Sequence, residues 1–532
     1  MSDVIARARR NTIGDALRRA AARFGDRPAL RFAGRGWSYA GLYQAAGRVG
    51  RRLLAAGLVP GDRVVAYGRN SDAYLLLWLG CARAGLVHVP VNFALTPPEL
   101  DYVLRQSGAA LLLYQPALAG PAQAALDMTA LEMATGVAGG TIDAGEGALD
   151  MLAAALDPAW DASGPEDTLG EAVGEEDLVQ IMYTSGTTGA PKGAMMSHRG
   201  LLAEYASCTI ELEMLRDDRG LAALPLYHTA QMHAFTMPQL LNGAFTLLID
   251  APQPALVLEL IERERITTFF APPTVWIGLL QHPDFATRDL SSLAKVQYGA
   301  SIMPVPVLQE LRARLPQARP FNCYGQTEIA PLAAVLRPEE HAARPGSIGR
   351  PVLNVETRVV DAAMRDVAPG ERGEVVHRSP QLLLGYWRMP EETAQAFEGG
   401  WFHSGDVATI DAEGYLSIVD RTKDLINTGG VLVASREVEE ALFSHPAVAE
   451  VAVIAVPDPK WIEAVAAVVV LRGEPAAGIE AVLLAHARER LAPYKLPKRI
   501  IIAEALPKNT AGKLLKRELR LLYSGTESGA LG

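Results

Sequence analysis

The chain has 532 residues, which is too many for a single hydrophobic core, so two or more domains are expected. Apolar residues make up 49% and charged residues 21%, as is typical of a soluble globular protein. The net charge of -10 and the scattered Lys and Arg residues argue against nucleic-acid binding.

The cysteines and the N-terminal segment indicate the compartment. Cys81, Cys208 and Cys323 are widely spaced and form no CxxC pair, which excludes a disulfide framework and a zinc ribbon and fits a reducing compartment. The opening MSDVIARARRN carries charges where a signal peptide needs an apolar core, and no apolar run is long enough to cross a bilayer. We expect a cytoplasmic protein with no transmembrane segment. Peripheral membrane contact and a homodimeric state both stay open.

From Thr12 to about Leu118, amphipathic helices alternate with short apolar strands. TIGDALRRAAARFG predicts a helix, PALRFAG and WSYAG predict a hairpin-like pair, and RVVAYG predicts a strand. Residues 119–177 are rich in Ala, Gly and Asp and predict only a variable helical or loop-rich connection. The alternation then resumes with the strand candidates GLAALPLYH, AFTLLID, ITTFFAPP and KVQYGAS and the helix candidates PALVLELIERER and VPVLQELRARL. A large sheet with helices on its faces is the favoured architecture.

Beyond Pro345 the pattern changes to short strands separated by Gly turns: GSIGRPV, VETRVVD, GEVVHRS and GYLSIVD. These predict a small β-rich subdomain. A compact α+β domain then closes the chain, with helices at REVEEALFSHP and AVLLAHARERL and strands at EVAVIAVPD and AVAAVVVLR. We predict an α/β protein with a large N-terminal domain of several subdomains, residues 1–421, and a smaller C-terminal domain, residues 422–532.

The stretch from Tyr183 to Gly200, YTSGTTGAPKGAMMSHRG, predicts a phosphate-binding loop. Glycines let backbone N–H groups approach an anion, hydroxyls add donors, and a lysine adds positive charge. The residues concerned are Thr184, Ser185, Gly186, Thr187, Thr188, Gly189 and Lys192. The spacing does not match the P-loop of NTPases. A flexible linker is the alternative, but LVQIMY predicts a buried strand that leads into the loop.

Three further segments carry polar groups at the ends of predicted strands. His228 is predicted to end an apolar strand, where a structural histidine is the alternative. The run Gly299, Ala300 and Ser301 follows another strand and would let a flat purine lie on the backbone. The third segment, NCYGQTE, contributes Asn322, Tyr324, Gly325, Thr327 and Glu328. Its tyrosine can stack on a base and its carboxylate can hold Mg²⁺, whereas the alternative is an ordinary strand-to-helix turn.

Two segments of the second half of the chain add charges. In WFHSGD, Asp406 can accept hydrogen bonds from both ribose hydroxyls, and Arg421 can donate to the same sugar. The alternative for this pair is an ion pair on the surface. Near the C-terminus, ALPKNTAGKLLKRELR places Lys513 in a turn before a basic helix, from which it can reach out of its own domain. The alternative is a solvated basic face.

In this order and at these spacings, the segments resemble the adenylate-forming superfamily of acyl-CoA synthetases, adenylation domains of peptide synthetases, and luciferases. The resemblance extends from Thr12 to Arg520 and is closest to fatty-acyl-CoA synthetases. It implies that ATP converts a carboxylate into an acyl-adenylate, which a thiol then attacks to give a thioester and AMP. It also implies that the catalytic groups are Lys513, His228, Thr184, Lys192 and Glu328, with Mg²⁺ held by Glu328 and Thr184. Lys423 is implied as the hinge of a mobile C-terminal domain.

The same resemblance implies CoA as the thiol acceptor, contacted by Gly429, Gly430, Trp461, Tyr494 and Lys498. The chain departs from its relatives nearby, at Val431, Leu432, Ile462 and Leu496. Carrier-protein phosphopantetheine is therefore the main competing acceptor, because it presents the same thiol arm without the nucleotide.

The acid is the least determined substrate. An amino acid is disfavoured because Thr229 to Pro238 contains no acidic residue for its ammonium group. The expected pocket is apolar, which suits an alkyl chain, and is lined by Met232, Phe235, Ala300, Ile302, Ile329 and Ala330. Packing in the core is the alternative for several of these residues. We predict a medium- or long-chain fatty acid; an aryl acid such as a coumarate or benzoate, an acyl-AMP ligase and a non-catalytic member of the fold are the alternatives.

Overall fold

The computed structural model describes Ile5 and residues 8–132, 137–147, 149–163, 167–184, 190–301, 303–421, 424–428, 431–458, 461–475, 478–510 and 514–523. Some residues singled out by the sequence lie outside these ranges: Ser185, Gly186, Thr187, Thr188, Gly189, Ile302, Thr422, Lys423, Gly429, Gly430 and Lys513. Among the helices that are described, none combines the length and apolar character needed to cross a membrane.

The first part of the chain builds a six-stranded sheet and also contains β1 and β2, which belong to a second sheet. Its elements are α1 Ile13–Phe24, β1 Pro28–Phe32, β2 Arg35–Ser38, α2 Tyr39–Ala55, β3 Arg63–Tyr67, α3 Asp72–Ala84, β4 Val87–Val91, α4 Pro97–Ser107, β5 Leu111–Tyr114, α5 Ala119–Glu132, β6 Ala138–Thr141, α6 Met151–Leu156, β7 Leu178–Thr184, β8 Lys192–Ser197 and α7 His198–Glu211. The strand order is β6-β5-β3-β4-β7-β8, parallel except for the β7–β8 hairpin. The predicted first helix is confirmed, and Thr12 and Asp15 form a capping box at its start.

The next part builds a nine-stranded sheet. Its elements are β9 Arg219–Ala222, a π-helix Ala230–Thr236, α8 Met237–Asn242, β10 Phe245–Leu248, α9 Pro254–Arg263, β11 Thr268–Ala271, α10 Pro273–Gln281, β12 Lys295–Gly299, α11 Val305–Arg314, β13 Arg319–Gly325, β14 Leu332–Leu336 and β15 Arg350–Pro351. The order is β15-β14-β13-β12-β11-β9-β10-β1-β2, so the predicted hairpin β1–β2 forms one edge. The described part of the chain thus contains two α/β sheets, in agreement with the predicted N-terminal domain of several α/β subdomains.

The layer between the two sheets is α3. Every residue of this helix is buried, and it packs on α2, on β4 of the six-stranded sheet and on β1 of the nine-stranded sheet. Burial on all sides explains why the helix, apart from Asp72 at its start and Arg83 in its last turn, is apolar around its circumference.

The remaining elements form the predicted β-rich subdomain and C-terminal domain. They are β16 Glu356–Val360, β17 Arg372–Arg378, α12 Pro390–Ala396, β18 Phe402–Ile410, β19 Leu416–Arg421, β20 Ile426–Thr428, β21 Val431–Val433, α13 Ser435–Phe443, β22 Val448–Asp458, β23 Ile462–Leu471, α14 Ile479–Arg488, β24 Arg499–Ile502 and α15 Lys516–Tyr523. Strands β16 to β19 pair in sequence order, and β20 to β24 form a second small sheet around β23. The division after residue 421 stays a prediction.

The structure corrects three details of the sequence analysis. The connection 119–177 contains β6, which extends the six-stranded sheet. Residues Arg350 and Pro351 of GSIGRPV join the nine-stranded sheet and not the β-rich subdomain. The strand predicted to end at His228 stops at Ala222, because the Asn70 side chain bonds the backbone beyond it: Nδ2 donates to Leu224 O at 2.9 Å and Oδ1 accepts from Leu226 N at 2.8 Å.

Candidate active site

The predicted phosphate-binding loop connects the two strands of a hairpin. Thr184 at the end of β7 and Lys192 at the start of β8 are direct cross-strand partners, so both ends of the loop are fixed by the six-stranded sheet. Tyr102 on α4 donates a hydrogen bond to the carbonyl oxygen of Pro191 at 3.0 Å, which holds the returning arm. The sequence prediction that a buried strand leads into this loop is confirmed.

One end of this loop meets a carboxylate that follows a strand of the nine-stranded sheet, and the other end meets a tyrosine bonded to that carboxylate. Glu328 lies in a short 3₁₀ turn after β13, and its Oε1 accepts hydrogen bonds from Thr184 Oγ1 at 3.4 Å and from Tyr386 OH at 3.2 Å. Lys192 Nζ lies 5.2 Å from the centroid of the Tyr386 ring. We call Thr184, Lys192, Glu328 and Tyr386 the Glu328 cluster.

Tyr386 is the one member of this cluster that sequence reasoning missed. It sits on a segment that runs beside β8, where it forms a bridge with Ala194. Burial, reinforced by the neighbouring Glu328, raises the pKa of its phenol, so the group stays a neutral donor. The available signal was the Gly-Tyr-Trp sequence at 385–387, but an aromatic pair after a glycine also fits a core position.

A second carboxylate is held inside the β-rich subdomain. Asp406 on β18 is 3% exposed. Its Oδ2 accepts a hydrogen bond from Tyr324 OH at 2.6 Å, and its Oδ1 lies 3.1 Å from Arg421 Nε on the paired strand β19. We call these three residues the Asp406 cluster. A buried cluster replaces the surface ion pair that was the alternative interpretation.

The partners in the Asp406 cluster shift one another's ionisation. Burial, together with the adjacent carboxylate, raises the pKa of the Tyr324 phenol well above its usual value. For Arg421, burial opposes the charged form, but Asp406 and Tyr324 outweigh that effect and raise its pKa. The tyrosine is therefore a neutral donor and the arginine a permanent cation.

Two motif glycines are required by close approach of backbone segments. A Cβ at Gly299 would lie 2.1 Å from the Cys323 carbonyl oxygen, and a Cβ at Gly325 would lie 1.7 Å from that of Pro331. Both distances are far below van der Waals contact, so the turns after β12 and β13 admit only glycine there. These contacts are within the protein and explain the glycines without a ligand.

The other predicted nucleotide contacts border the two clusters. Ala300 and Ser301 are exposed at the end of β12. Asn322 Nδ2 donates to the Ser347 carbonyl oxygen at 2.8 Å. Thr327 Oγ1 lies 3.4 Å from Thr229 Oγ1, which connects the Glu328 turn to the residue that follows His228.

His228 lies where the two predicted domains meet. Its ring is 4.9 Å from that of Tyr227, whose hydroxyl hydrogen-bonds Thr510 of the C-terminal domain. Burial raises the pKa of Tyr227 to about 12. Thr510 Oγ1 also lies 3.3 Å from Asn92 Oδ1. Thr510, three residues before Lys513, thereby attaches the C-terminal domain to the N-terminal domain beside His228.

The residues expected to line the acid pocket fall into two groups. Met232, Phe235, Ile329 and Ala330 are buried, whereas Ala300 is exposed. The first two belong to the π-helix, a rare geometry that is frequent at functional sites. Phe235 stacks on Phe270 with ring centroids 4.1 Å apart.

Of the residues expected to contact CoA, two come together on the C-terminal domain. Lys498 Nζ lies 5.9 Å from the centroid of the Trp461 ring. Both Trp461 and Tyr494 are exposed, and Val431, Leu432 and Ile462 expose apolar surface on the same domain.

Comparison with known proteins agrees with these features. Residues 17–387 match the AMP-binding enzyme family and residues 437–513 match the AMP-binding enzyme C-terminal domain. A feruloyl-CoA synthase from Amycolatopsis is 40% identical over 92% of this chain and 95% of its own length. The long-chain-fatty-acid–CoA ligase FadD13 of Mycobacterium tuberculosis is 36% identical over 92% and 93%.

Among solved structures, ATP-bound MatB from Rhodopseudomonas palustris has a TM-score of 0.86 at 31% identity, covering 96% of this chain and 99% of that one. Both the large N-terminal part and the smaller C-terminal part of the chain are thus accounted for. The chain therefore belongs to the AMP-binding enzymes, the adenylate-forming superfamily that its motifs resemble.

Proposed function

We propose that this protein is an ATP-dependent, AMP-forming ligase that joins a carboxylic acid to CoA. In the first half-reaction a carboxylate oxygen bonds to the α-phosphorus of ATP, the bond to the β-phosphate oxygen breaks, and pyrophosphate leaves. In the second, the CoA sulfur bonds to the acyl carbon, the carbon–oxygen bond to AMP breaks, and the thiol proton goes to solvent or a base. Family membership over nearly the whole chain supports this reaction.

The Glu328 cluster is proposed to hold the triphosphate. Lys192 would offset phosphate charge, and Thr184 would donate to a phosphate oxygen from a strand end that the sheet keeps rigid. Mg²⁺ is commonly held by one or two carboxylates with water and phosphate oxygens, so Glu328 and the Thr184 hydroxyl fit it and it would supply charge neutralisation. Tyr386 would keep Glu328 oriented through its hydrogen bond.

The Asp406 cluster is proposed to bind the ribose. Each carboxylate oxygen has more than one lone pair, so Asp406 can accept ribose hydroxyls while it keeps Tyr324 and Arg421. The exposed Ala300 and Ser301 leave the end of β12 open for the adenine.

The C-terminal domain is proposed to act in both half-reactions. Lys513 would contact the α-phosphate and the acid in the first, and Lys423 would be the hinge for a rotation that exchanges catalytic groups before the second. His228 would lie beside the carboxylate and the entering thiol. The contact of Thr510, three residues before Lys513, with Tyr227 supports a starting orientation in which this face of the C-terminal domain lies beside His228.

For the acid, we propose an aromatic carboxylic acid of the hydroxycinnamate type. The observation that carries this proposal is the 40% identity to a feruloyl-CoA synthase over 92% of the chain. Phe235 and Phe270 are buried and stack on each other, so they would give a pocket beside the π-helix an aromatic lining, which suits a flat ring. A fatty acid is the second candidate, supported by the 36% identity to a long-chain ligase and by the apolar residues of the π-helix.

Pyrophosphate exchange tests both halves of the proposal. The purified protein is incubated with ATP, Mg²⁺, labelled pyrophosphate and each of ferulate, cinnamate, benzoate, laurate and palmitate. We expect label in ATP fastest with the hydroxycinnamates; a preference for laurate or palmitate would favour the second candidate. If no acid supports exchange, the activity itself is wrong.

The acceptor is tested on the product side. With the best acid, we expect CoA to yield an acyl-CoA and a phosphopantetheinylated carrier protein to yield little. The reverse preference would favour an acyl-AMP ligase. A Lys513→Ala variant should lose exchange but still convert preformed acyl-adenylate to thioester; equal loss in both half-reactions would contradict its proposed role.

A further inference from the structure

A buried carboxyl group lies behind the turn that carries Glu328. Glu204 on α7 is fully buried. Its Oε1 accepts hydrogen bonds from the Leu332 backbone N–H at 2.9 Å and from the Cys208 thiol at 3.1 Å. Its Oε2 accepts a hydrogen bond from Gln381 Nε2. None of the roles proposed above uses this group, and a buried carboxyl is costly unless its contacts compensate for lost hydration.

Gln381 connects Glu204 to the backbone of the turn. Its Nε2 also lies 3.0 Å from the Leu332 carbonyl oxygen and 3.3 Å from that of Ile329. Its Oε1 accepts a hydrogen bond from Ser207 Oγ at 2.7 Å. Because two carbonyl oxygens and the carboxylate surround the nitrogen, the orientation of the amide is fixed by its neighbours.

The same segment holds Glu328 itself. The backbone N–H of Leu383, two residues after Gln381, donates to the Glu328 carbonyl oxygen at 2.9 Å. Ile329 and Leu332 follow Glu328 along the chain. Hydrogen bonds therefore fix the turn at Glu328, through Leu383, and at its end, through Glu204 and Gln381. On its other side the Glu328 carboxylate faces Thr184 and Tyr386.

We propose that Glu204 and Gln381 are positioning residues that hold the turn of Glu328 in the orientation required for ATP binding. This inference rests on the proposed role of Glu328. This role would explain why a carboxyl group, and not an apolar side chain, is buried at position 204.

The direction of the hydrogen bonds makes this network specific for a carboxylate at position 204. All three neighbours of the Glu204 oxygens are donors. A glutamine there would place one N–H₂ group against another, that of Gln381, and turning the Gln381 amide would direct its oxygen at the carbonyls of Ile329 and Leu332. Glu204→Gln should therefore loosen the turn, although glutamine has nearly the same shape as glutamate.

The same geometry predicts a pH dependence. The titratable groups around Glu204 are Tyr205 and Cys208 on its own helix and Cys323 on β13. Burial raises the pKa of Glu204 to about 8. The ionised form accepts from all three donors, whereas the protonated form carries an O–H group that has no acceptor among these three neighbours. The rate of exchange should therefore rise as the pH passes through about 8, and Glu204→Gln should lack this rise.

The pH dependence of stability has the opposite sign to that of the exchange rate, because the folded-state pKa of Glu204 lies above its ordinary value of 4.5. The contribution of Glu204 to the free energy of unfolding is fully present below pH 4.5 and is lost as the pH rises through about 8. Glu204→Gln should also lack this loss.

The test compares ATP binding with thermal stability. Above pH 8, where Glu204 is ionised, we expect Glu204→Gln to have an unchanged or higher melting temperature, because a buried charge is removed. We also expect a roughly tenfold rise in the dissociation constant of ATP, measured by calorimetry with Mg²⁺. Gln381→Leu should have the same effect on ATP, and the double variant should be no worse than the worse single variant, because both act through one turn.

A matched control is Asp218→Asn, another buried carboxyl, which pairs with Lys295 at 2.7 Å away from the turn. It should lower stability and leave the dissociation constant of ATP unchanged. The inference is overturned if Glu204→Gln binds ATP as the natural protein does while Glu328→Gln is impaired, or if the two single effects simply add. Unimpaired ATP binding and exchange in Glu328→Gln would instead refute the role proposed for Glu328.

Discussion

The Glu328 cluster and the Asp406 cluster both centre on a carboxylate, but they differ in how far the protein itself satisfies that carboxylate. Asp406 is buried and both of its oxygens have close partners, at 2.6 and 3.1 Å. Within the described part of the chain, Glu328 receives side-chain hydrogen bonds only on Oε1, and these are longer, at 3.2 and 3.4 Å. The first site is complete without a ligand and the second is left for a ligand to complete. Changes at Asp406 should therefore lower stability in addition to weakening the proposed ribose contact, whereas changes at Glu328 should act on activity alone.

The largest effect is expected from Glu328→Gln. Loss of one charged group that positions the triphosphate should lower the rate of pyrophosphate exchange by roughly 10²–10³-fold. The melting temperature should change little, because the hydrogen-bond partners of Glu328 are neutral hydroxyls and lose no counter-charge. Exchange and thermal unfolding are measured on the same preparation, and a large loss of stability would erase the contrast with Asp406.

Asp406→Asn should lower stability in addition to weakening the binding of ATP. Removing the carboxylate leaves the partly buried Arg421 without its nearest counter-charge, so the free energy of unfolding should fall by about 3 kcal/mol in denaturant titrations. Asp361→Asn breaks the exposed ion pair with Arg365 and is the control, expected to leave stability unchanged. If both variants have the same stability, the contacts of Asp406 with Tyr324 and Arg421 do not stabilise the fold.

Tyr324→Phe separates the hydrogen bond from the charge in the Asp406 cluster. It removes one donor to a carboxylate and keeps the ring, so the loss of stability should be about 2 kcal/mol, less than for Asp406→Asn. The double variant with Asp406→Asn should cost less than the sum of the singles, since both remove the same bond. Strict additivity would show that the two groups act independently.

The smallest effect is expected from Tyr386→Phe. The variant loses a 3.2 Å hydrogen bond to Glu328 but keeps the ring near Lys192, so the KM for ATP should rise roughly three- to tenfold with stability unchanged. Tyr386→Ala, which also removes the ring, should raise the KM further. Equal KM values for the two variants would assign no role to the ring.

Local sequence patterns predicted much of the fold and part of the site. The first helix, the β1–β2 hairpin and the strand before the phosphate-binding loop follow from short-range periodicity and capping, which operate within a few residues. Thr184 and Lys192 were identified because their types and spacing carry the chemistry. The early end of β9 was not predictable, because the Asn70 side chain that replaces the strand's hydrogen bonds is distant along the chain.

The acid is the clearest case in which both sequence pattern and fold leave a choice. Apolar residues around Met232 led to the prediction of a fatty acid, whereas the relative at 40% identity is a feruloyl-CoA synthase. An apolar lining accepts a ring or an alkyl chain with similar free energy per area, so residue types alone discriminate weakly.

The sequence by itself determined the superfamily, the succession of α/β, β-rich and α+β regions, and the chemical types of the ligand-binding groups. These depend on periodicity, glycine positions and motif spacing, which are properties of neighbouring residues. Only the tertiary structure decided that Tyr386 meets Glu328, that Asp406 is buried with Tyr324 and Arg421, and that Glu204 lies behind the Glu328 turn. Most of those contacts join strands and helices far apart in the chain, and the packing of these elements against one another, not any local preference, brings them together.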